Sequence, residues 1–259
     1  MFKQRIKRIF FYRHTLWDMA IRQLKTKYSG SKLGIWWAVI TPLILAVSIN
    51  FIFTKIFKIN MPNYTLFVLS GIIPWIFFSN TLSEATNSFI ANTSILKQAI
   101  FPQEFIPLSS VLANFLNFFI GFIIIFPLFI ILKLKVIAVL LFLIFPLISH
   151  LLFIIGLSLL FACWNVFSRD MPHLLSIGLM IWFWMTPIFY SLDMLSFPYR
   201  WICLLNPMSY YVMLYRQILF KAQIPSLSIL GLSFLIGLIC FFIGYSIFLK
   251  EETELLKRI

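Results

Sequence analysis

The sequence has few charged residues and few of the side chains that enzymes and metal sites use. Only 11% of its 259 residues are charged, and eight of these are acidic. Cysteine and histidine occur three times each, at Cys163, Cys203 and Cys240 and at His14, His150 and His173. These spacings are too wide for a metal site, so we expect none, and we expect the cysteines to be packing residues.

A phosphate-binding loop is also missing. No Gly-x4-Gly-Lys-[Ser/Thr] pattern occurs, so the chain is not expected to hydrolyse ATP itself. No predicted span carries paired acids, which disfavours a membrane-bound transferase and a proton-coupled transporter, because both need such groups at membrane depth. These absences favour a passive transport pathway that is driven by a separate motor protein.

Apolar residues are abundant instead. Hydrophobic residues make up 61% of the chain and aromatic residues 19%. The apolar runs are continuous rather than alternating, which predicts spanning helices and not a barrel. The fold class is therefore an all-α integral membrane protein with six transmembrane helices. The predicted spans are 33–54, 64–91, 111–132, 136–166, 174–190 and 229–249.

Positive charge is concentrated at the start of the chain. The formal net charge is +13, and nine of the 21 Lys and Arg residues precede residue 33. On so apolar a chain this surplus points to the anionic inner leaflet rather than to nucleic acid. It also predicts a cytosolic N-terminus, and six spans return the C-terminus to the same side.

Residues 15–28 are predicted to form an amphipathic helix that lies flat on the membrane surface. The apolar face holds Trp17, Ala20, Ile21, Leu24 and Tyr28, and the charged face holds Asp18, Arg22 and Lys25. An ordinary solvated basic tail describes residues 3–13 better than it describes this stretch.

The connection 92–107 is the most polar short link between two apolar runs. It opens on Asn92, Thr93 and Ser94, which favour a helix start, and it closes on Pro102 and Pro107. We interpret it as a short cytosolic helix at the tip of a helical hairpin, by which another protein can move two spans at once. A simple solvated loop is the alternative.

The second half of span 64–91 is polar, from Ser79 to Ser88, so it should face protein or water rather than lipid. Glu84 is the one clear acid within a predicted span. A charge at membrane depth costs about 2.5–3.5 kcal/mol on insertion scales, and a shallow position near the cytosolic end avoids most of that cost. Both positions stay open.

Residues 191–223 are predicted to form a re-entrant helical hairpin between spans 5 and 6. Two short apolar pieces are broken at Asn206-Pro207, and backbone broken at membrane depth must be surrounded by protein or cavity water. A hairpin that merely rests on the outer surface is the alternative.

Several motifs occur in an ordered set. They are residues 27–37 (Lys-Tyr-Ser-Gly-Ser-Lys-Leu-Gly-Ile-Trp-Trp), Thr41-Pro42-Leu43, 70–79, 92–107, Ser168-Arg169-Asp170, 186–190 (Thr-Pro-Ile-Phe-Tyr), Leu205-Asn206-Pro207 and Tyr215-Arg216. The set resembles the ABC-2 type exporter permeases, and within them the branch that exports O-antigen, capsular polysaccharide or teichoic acid.

The resemblance implies a homodimer that encloses a channel in the bacterial inner membrane, with two copies of an ABC ATPase beneath it. ATP and Mg would be bound by that partner, and this chain would hold no cofactor. The implied substrate is a lipid-linked polysaccharide. Export of teichoic acid, of a small amphiphile or of a lipid is the alternative within transport, and an assembly protein without a pathway is the alternative outside it.

The resemblance also implies roles for particular residues. ATPase coupling falls to Asn92, Ile95, Leu96, Lys97, Ile100, Phe101 and Pro102, and the headgroup platform to Arg22, Lys25, Lys27 and Tyr28. The pathway aromatics are Trp36, Trp37, Trp182 and Trp184, and the outer gate comprises Tyr190, Asn206, Pro207, Tyr210 and Arg216. Trp and Tyr are also common membrane-interface anchors, so an anchoring role stays open for the aromatics.

Overall fold

A computed structural model of the chain describes residues 7–8, 10–98, 101–132 and 134–258, and the regular structure among them is helical throughout. The α-helices are α1 Arg13–Tyr28, α2 Trp37–Phe51, α3 Tyr64–Ala91, α4 Thr93–Gln98, α5 Phe105–Leu132, α6 Val136–Val139, α7 Ile144–Phe167, α8 Met171–Met185, α9 Tyr199–Leu205, α10 Pro207–Leu219 and α11 Leu227–Arg258.

Within the described part of the chain, five helical stretches are long and apolar enough to cross a membrane, which confirms an all-α, multi-pass membrane protein. They are Gly34–Ile56, Tyr64–Ala91, Phe105–Ile131, Val136–Phe167 and Leu227–Leu255. The first includes short 3₁₀ and π turns at the ends of α2, and the fourth joins α6 and α7 through a 3₁₀ turn at Leu140–Leu143.

The predicted fifth span, 174–190, corresponds to α8, which is 15 residues long. At 1.5 Å per residue it reaches about 22 Å, short of the roughly 30 Å hydrocarbon core. The helix ends at Met185 because Thr186, whose backbone is extended, precedes Pro187. Helix α8 is therefore an apolar helix that does not by itself reach across.

Two other boundaries differ from the sequence prediction. Helix α5 begins at Phe105, six residues before the predicted start, because Pro107 falls in its first turn, where a missing N–H costs no hydrogen bond. Helix α11 continues to Arg258 rather than ending near residue 249. Its charged end stays helical while Leu255, only 1% exposed, packs against other helices.

Helix α3 is the centre of the fold. In its most apolar stretch 78% of the residues are buried, against 17% in the corresponding stretches of α2 and α11. Its polar second half follows from this position: Thr81, Thr86 and Ser88 are buried, and their hydroxyls donate to carbonyls of the same helix. Ser83, Glu84 and Asn87 of the same half are exposed, so it faces protein on one side only.

Helices α7 and α11 touch backbone to backbone. A Cβ atom added to Gly156 would lie 2.2 Å from the Cys240 carbonyl oxygen, and one added to Gly237 would lie 2.5 Å from that of Ser149. Only small residues permit this approach, which is a common way of packing helices in membranes. Tyr211 of α10 packs against this crossing, where its hydroxyl donates to the Ser233 carbonyl over 3.0 Å.

Candidate functional site

Helix α1 runs beside the first half of α5 and is joined to it by polar side chains. The Gln23 amide donates to the Ser109 hydroxyl over 2.8 Å, and the Tyr28 hydroxyl donates to the Asn117 carboxamide oxygen. The residue numbers of the two pairs increase along both helices, from Gln23 with Ser109 to Tyr28 with Asn117. Helices α1 and α5 are therefore parallel. The first helix is thus part of the bundle as well as part of its surface.

The third link between these helices also involves α3. The Lys27 ammonium lies 2.7 Å from Glu84 Oε1 and 2.8 Å from Asn114 Oδ1, and Asn114 Nδ2 donates to Glu84 Oε2 over 2.6 Å. Every member of this triangle bonds both others. Glu84 is therefore partly exposed and paired, at the side of the bundle where α1 packs. We call the three links together the polar ladder.

The outward side of α1 carries the charge. Arg22 and Lys25 are exposed, whereas Ala20 is buried and Tyr28 is half-buried. Trp17, assigned by its spacing to the apolar face, is 48% exposed. The predicted headgroup residues therefore divide: Arg22 and Lys25 face away from the bundle, while Lys27 and Tyr28 belong to the polar ladder.

Tyr28 stays a neutral phenol in this setting. Burial is the main cause that raises the pKa of its hydroxyl, and the Glu84 carboxylate adds to the rise. The hydrogen bond with Asn117 acts in the opposite direction. The protonated hydroxyl is the form that can donate to Asn117, so the ladder is intact at neutral pH.

A pocket of about 330 Å³ opens beside the ladder, between α1, α2, α3 and α5. Its wall includes Lys27, Tyr28, Trp37, Thr41, Asn80 and Asn117. The Trp37 indole N–H donates to the Ser31 hydroxyl over 3.1 Å, which fixes the ring at the rim. The lining thus combines amides, hydroxyls and aromatic surface, typical of a site that binds a polar organic molecule.

Helix α4 lies at the tip of the α3–α5 hairpin and spans six residues. The Asn92 amide donates to the Ser88 carbonyl over 2.8 Å, and the Thr93 hydroxyl donates to the Ile90 carbonyl over 2.9 Å. These side chains therefore satisfy the last carbonyls of α3 rather than capping α4. The segment 92–107 is a short helix followed by the start of α5, not one helix.

Leu96 fastens α4 to the bundle. Its side chain is 5% exposed and belongs to a small hydrophobic core with Phe89 of α3, Ile106 of α5 and Leu255 of α11. Met19 of α1 packs against the same core, which we call the α4 core. Leu159 of α7 belongs to this core as well, so α4 is connected to five other helices.

The remaining predicted coupling residues are less informative. Phe101 stacks on Phe105, with ring centroids 6.1 Å apart, and Pro102 is buried. Ile100 and the side chains of Ile95 and Lys97 lie outside the described residues.

At the Asn206-Pro207 break, the backbone is satisfied by protein. Asn206 Oδ1 accepts from the Met208 N–H over 2.9 Å and from the Trp182 indole over 2.5 Å, and its amide donates to the Thr186 hydroxyl over 2.9 Å. Asn206 therefore caps α10 and holds the end of α8 at the same time. Pro207 occupies the first turn of α10, where it needs no hydrogen bond.

Arg216 holds the segment that follows α8. Its guanidinium donates to the Ile188 carbonyl over 2.7 Å and to the Tyr190 carbonyl over 3.4 Å, and it lies 3.7 Å from the centre of the Phe67 ring. Gly71 leaves room for it, since an added Cβ would lie 3.3 Å from Nη2. We call Thr186, Ile188, Tyr190, Asn206 and Arg216 the α10 anchor.

Helix α10 is buried although it is short. Nine of its 13 residues are buried, whereas Trp201 and Leu205 of α9 are mostly exposed. The Tyr210 hydroxyl donates to the Leu204 carbonyl and ties the two helices together. The structure brings all five predicted gate residues into one region.

The predicted pathway aromatics form two separate groups. Trp36 and Trp37 lie at the start of α2 and are 55% and 43% exposed. Trp182 packs on Phe78 and bonds Asn206, whereas Trp184 is 62% exposed near Phe189. The four rings do not form one wall within a single chain.

Sequence reasoning missed Asn80, Asn114 and Asn117. Asn114 and Asn117 are three residues apart on α5, so they share a face of a largely apolar helix, and that spacing was the available signal. Tyr64 was missed too: its hydroxyl donates to the Phe189 carbonyl over 2.5 Å, a long-range contact with no local signature.

Comparison with known proteins adds three relatives and a family. The family model described as ABC-2 type transporter matches residues 14–220. Two proteins of Klebsiella pneumoniae named O-antigen export system permease protein RfbA are 33% and 32% identical to this chain, over 88% of each chain. A protein of the same name from Myxococcus xanthus is 28% identical over 98% of each chain.

Proposed function

The chain belongs to the ABC-2 type transporter family, and from that premise we propose that it is the membrane subunit of an ATP-driven exporter of lipid-linked polysaccharide. The names of the three relatives support an O-antigen-like substrate. The structural observation that carries the proposal is α4, a short helix at a hairpin tip whose one buried leucine connects it to the bundle.

In this proposal two copies of the chain enclose the channel, and two ABC ATPase subunits bind ATP and Mg below it. The chain sits in the bacterial inner membrane with both termini in the cytosol. Helix α8 and residues 186–190 together serve as the fifth of six spans, and α9 with α10 forms the re-entrant outer gate. The concentration of positive charge before α2 supports this orientation.

The α4 core explains how a partner could drive transport. A push on α4 reaches α3, α5 and α11 through Leu96, and it reaches α1 through Met19. Packed cores transmit displacement because they do not compress easily. ATP hydrolysis below the membrane would thus move the helices that line the pocket.

Helix α1 would serve as the headgroup platform. Arg22 and Lys25 face outward and suit the phosphates of a lipid carrier at the inner leaflet. Aromatic rings at the start of α2 and the end of α8 would contact the sugar chain during passage.

The test is reconstitution of the chain with its ATPase partner in vesicles that contain lipid-linked glycan. We expect glycan-stimulated ATP hydrolysis and export. In the Leu96→Ala variant, hydrolysis should persist while export falls about tenfold or more, because α4 is no longer fastened. Leu134→Ala, at an exposed leucine, is the matched control and should export normally.

Two results would contradict the proposal. Equal stimulation by carrier lipid without sugar would argue against glycan export. Wild-type export by Leu96→Ala would argue against α4 as the coupling element.

A further inference from the structure

The pocket beside the polar ladder carries almost no net charge, although α1, which forms part of its wall, belongs to the most basic part of the chain. Lys27 is the one cation in its wall, and its ammonium is 2.7 Å from the Glu84 carboxylate. A second Lys27 donor is engaged by Asn114. The charge of Lys27 is therefore compensated before any ligand arrives.

A phosphate group would bind weakly in this pocket. It would lie close to the Glu84 carboxylate, which repels an anion, and it would compete with that carboxylate for the same ammonium. Ser31 also lines the pocket, and the remaining wall residues, Ala38, Pro42 and Ile76, offer no donor side chains. Burial of an anion against such a surface is costly without full pairing.

The same wall suits an uncharged molecule rich in hydroxyl groups. Asn117 uses its oxygen to accept from Tyr28, which leaves its two amide hydrogens available. Asn80 and Thr41 add a second carboxamide and a hydroxyl, and Trp37 adds an aromatic surface at the rim. The volume, about 330 Å³, is at the small end of the range for ligand pockets.

We propose that this pocket binds a sugar ring of the exported glycan, and that it does not bind the phosphate of the carrier. The inference rests on the proposed function and refines it: sugar is recognised inside the pocket by Asn80, Thr41 and Asn117, while phosphate stays outside with Arg22 and Lys25. The ladder residues Lys27 and Glu84 keep the pocket neutral.

The test is protection of a cysteine in the full-length chain, reconstituted in nanodiscs without the ATPase. Ala38→Cys, at a wall residue to which no sugar contact is assigned, is placed in a background whose three native cysteines are alanine, and its rate of maleimide labelling is measured. The probes are a polyprenyl pyrophosphate carrying one glucose, galactose or mannose, the same lipid without sugar, and sodium pyrophosphate. We expect at least one sugar-bearing lipid to slow labelling about tenfold, and the two sugar-free probes to have no effect.

Two sets of variants sharpen the result. Asn117→Ala and Asn80→Ala should each weaken protection by about tenfold, the loss of one good hydrogen bond, while Asn60→Ala, at an exposed position, should change nothing. Glu84→Gln leaves the Lys27 ammonium uncompensated, so pyrophosphate should slow labelling of the reporter cysteine in that variant only.

Equal protection by the sugar-free lipid would overturn the proposal, and so would no protection by any probe. Failure of Glu84→Gln to gain pyrophosphate protection would overturn the argument from charge compensation. An exporter that still shows glycan-stimulated hydrolysis with an unprotected pocket would retain the proposed function and lose only this site.

Discussion

The polar ladder and the α10 anchor hold their elements in opposite ways. In the ladder, the Lys27 and Glu84 side chains are 26% and 42% exposed, so water and salt can replace their contact. In the anchor, Asn206 and Arg216 are each 6% exposed, and Arg216 bonds only to backbone carbonyls. The Lys27–Glu84 contact can therefore be replaced at little cost, whereas α10 is fixed to the end of α8 by buried hydrogen bonds.

This difference bears on how the two regions can move. A screened ion pair of this kind can be exchanged for contacts with water without exposing a fully buried group. Opening at the anchor by loss of its hydrogen bonds would expose several buried polar groups at once, each costing about 1–3 kcal/mol. If α10 moves during transport, we expect residues 186–190 to move with it as one piece.

The largest expected effect comes from breaking the anchor at Asn206. Asn206→Ala removes the cap of α10 and leaves the Trp182 indole and the Met208 N–H without their acceptor. We expect the free energy of unfolding to fall by about 3–4 kcal/mol. The measurement is reversible unfolding in detergent micelles, with Asn60→Ala as the exposed control. A loss below about 1 kcal/mol would show that the anchor is not rigid.

Widening the α7–α11 crossing should affect both regions together. Gly156 lies between Ser149, near α10, and Leu159 of the α4 core. Gly156→Ala places a methyl group 2.2 Å from the Cys240 carbonyl oxygen, so the helices must separate, at about 2 kcal/mol. Gly178→Ala has open space around its Cβ and should stabilise by about 0.5–1 kcal/mol instead. The measurement is thermal unfolding of both variants. Destabilisation of equal size in Gly156→Ala and Gly178→Ala would contradict the packing argument.

Much of this fold follows from local sequence, and the rest depends on distant contacts. Helix α3 has the bounds predicted for the second span, and the chain does break at Asn206-Pro207, because prolines and capping residues act locally. The start of α5 was predicted too late because Pro107 is compatible with a first turn as well as with a stop. The helical end of α11 depends on Leu255 meeting the α4 core, which no local pattern reveals.

The site could be predicted only in part for the same reason. Lys27, Tyr28 and Trp37 were singled out, and they do line one pocket. The separation of Trp36 and Trp37 from Trp182 and Trp184 depends on how α2 and α8 pack around α3. The pairing of Lys27 with Glu84 joins residues 57 positions apart, so spacing along one helix could not predict it.

A smaller effect is expected when Arg216 is replaced by a residue that keeps the positive charge but lacks the planar guanidinium. Arg216→Lys retains the cation but not the planar fork that reaches two carbonyls. We expect a loss of about 1.5 kcal/mol, the value of one hydrogen bond to a charged group. Arg200→Lys, at an exposed arginine of the same region, should be neutral. Equal stability of the two variants would mean that charge alone, and not geometry, holds residues 186–190.

The smallest effect should come from the ladder, and it tests the comparison most directly. In a double-mutant cycle of Lys27→Met and Glu84→Gln, we expect a coupling energy of about 0.5 kcal/mol, since Glu84 is partly exposed and such pairs contribute little. The coupling should shrink further in about 1 M salt, where the screening length is about 3 Å. The loss caused by Asn206→Ala should not change with salt, because those groups are buried and neutral. A coupling above about 2 kcal/mol that resists salt would mean that α1 is held as firmly as α10, and the platform could not move separately.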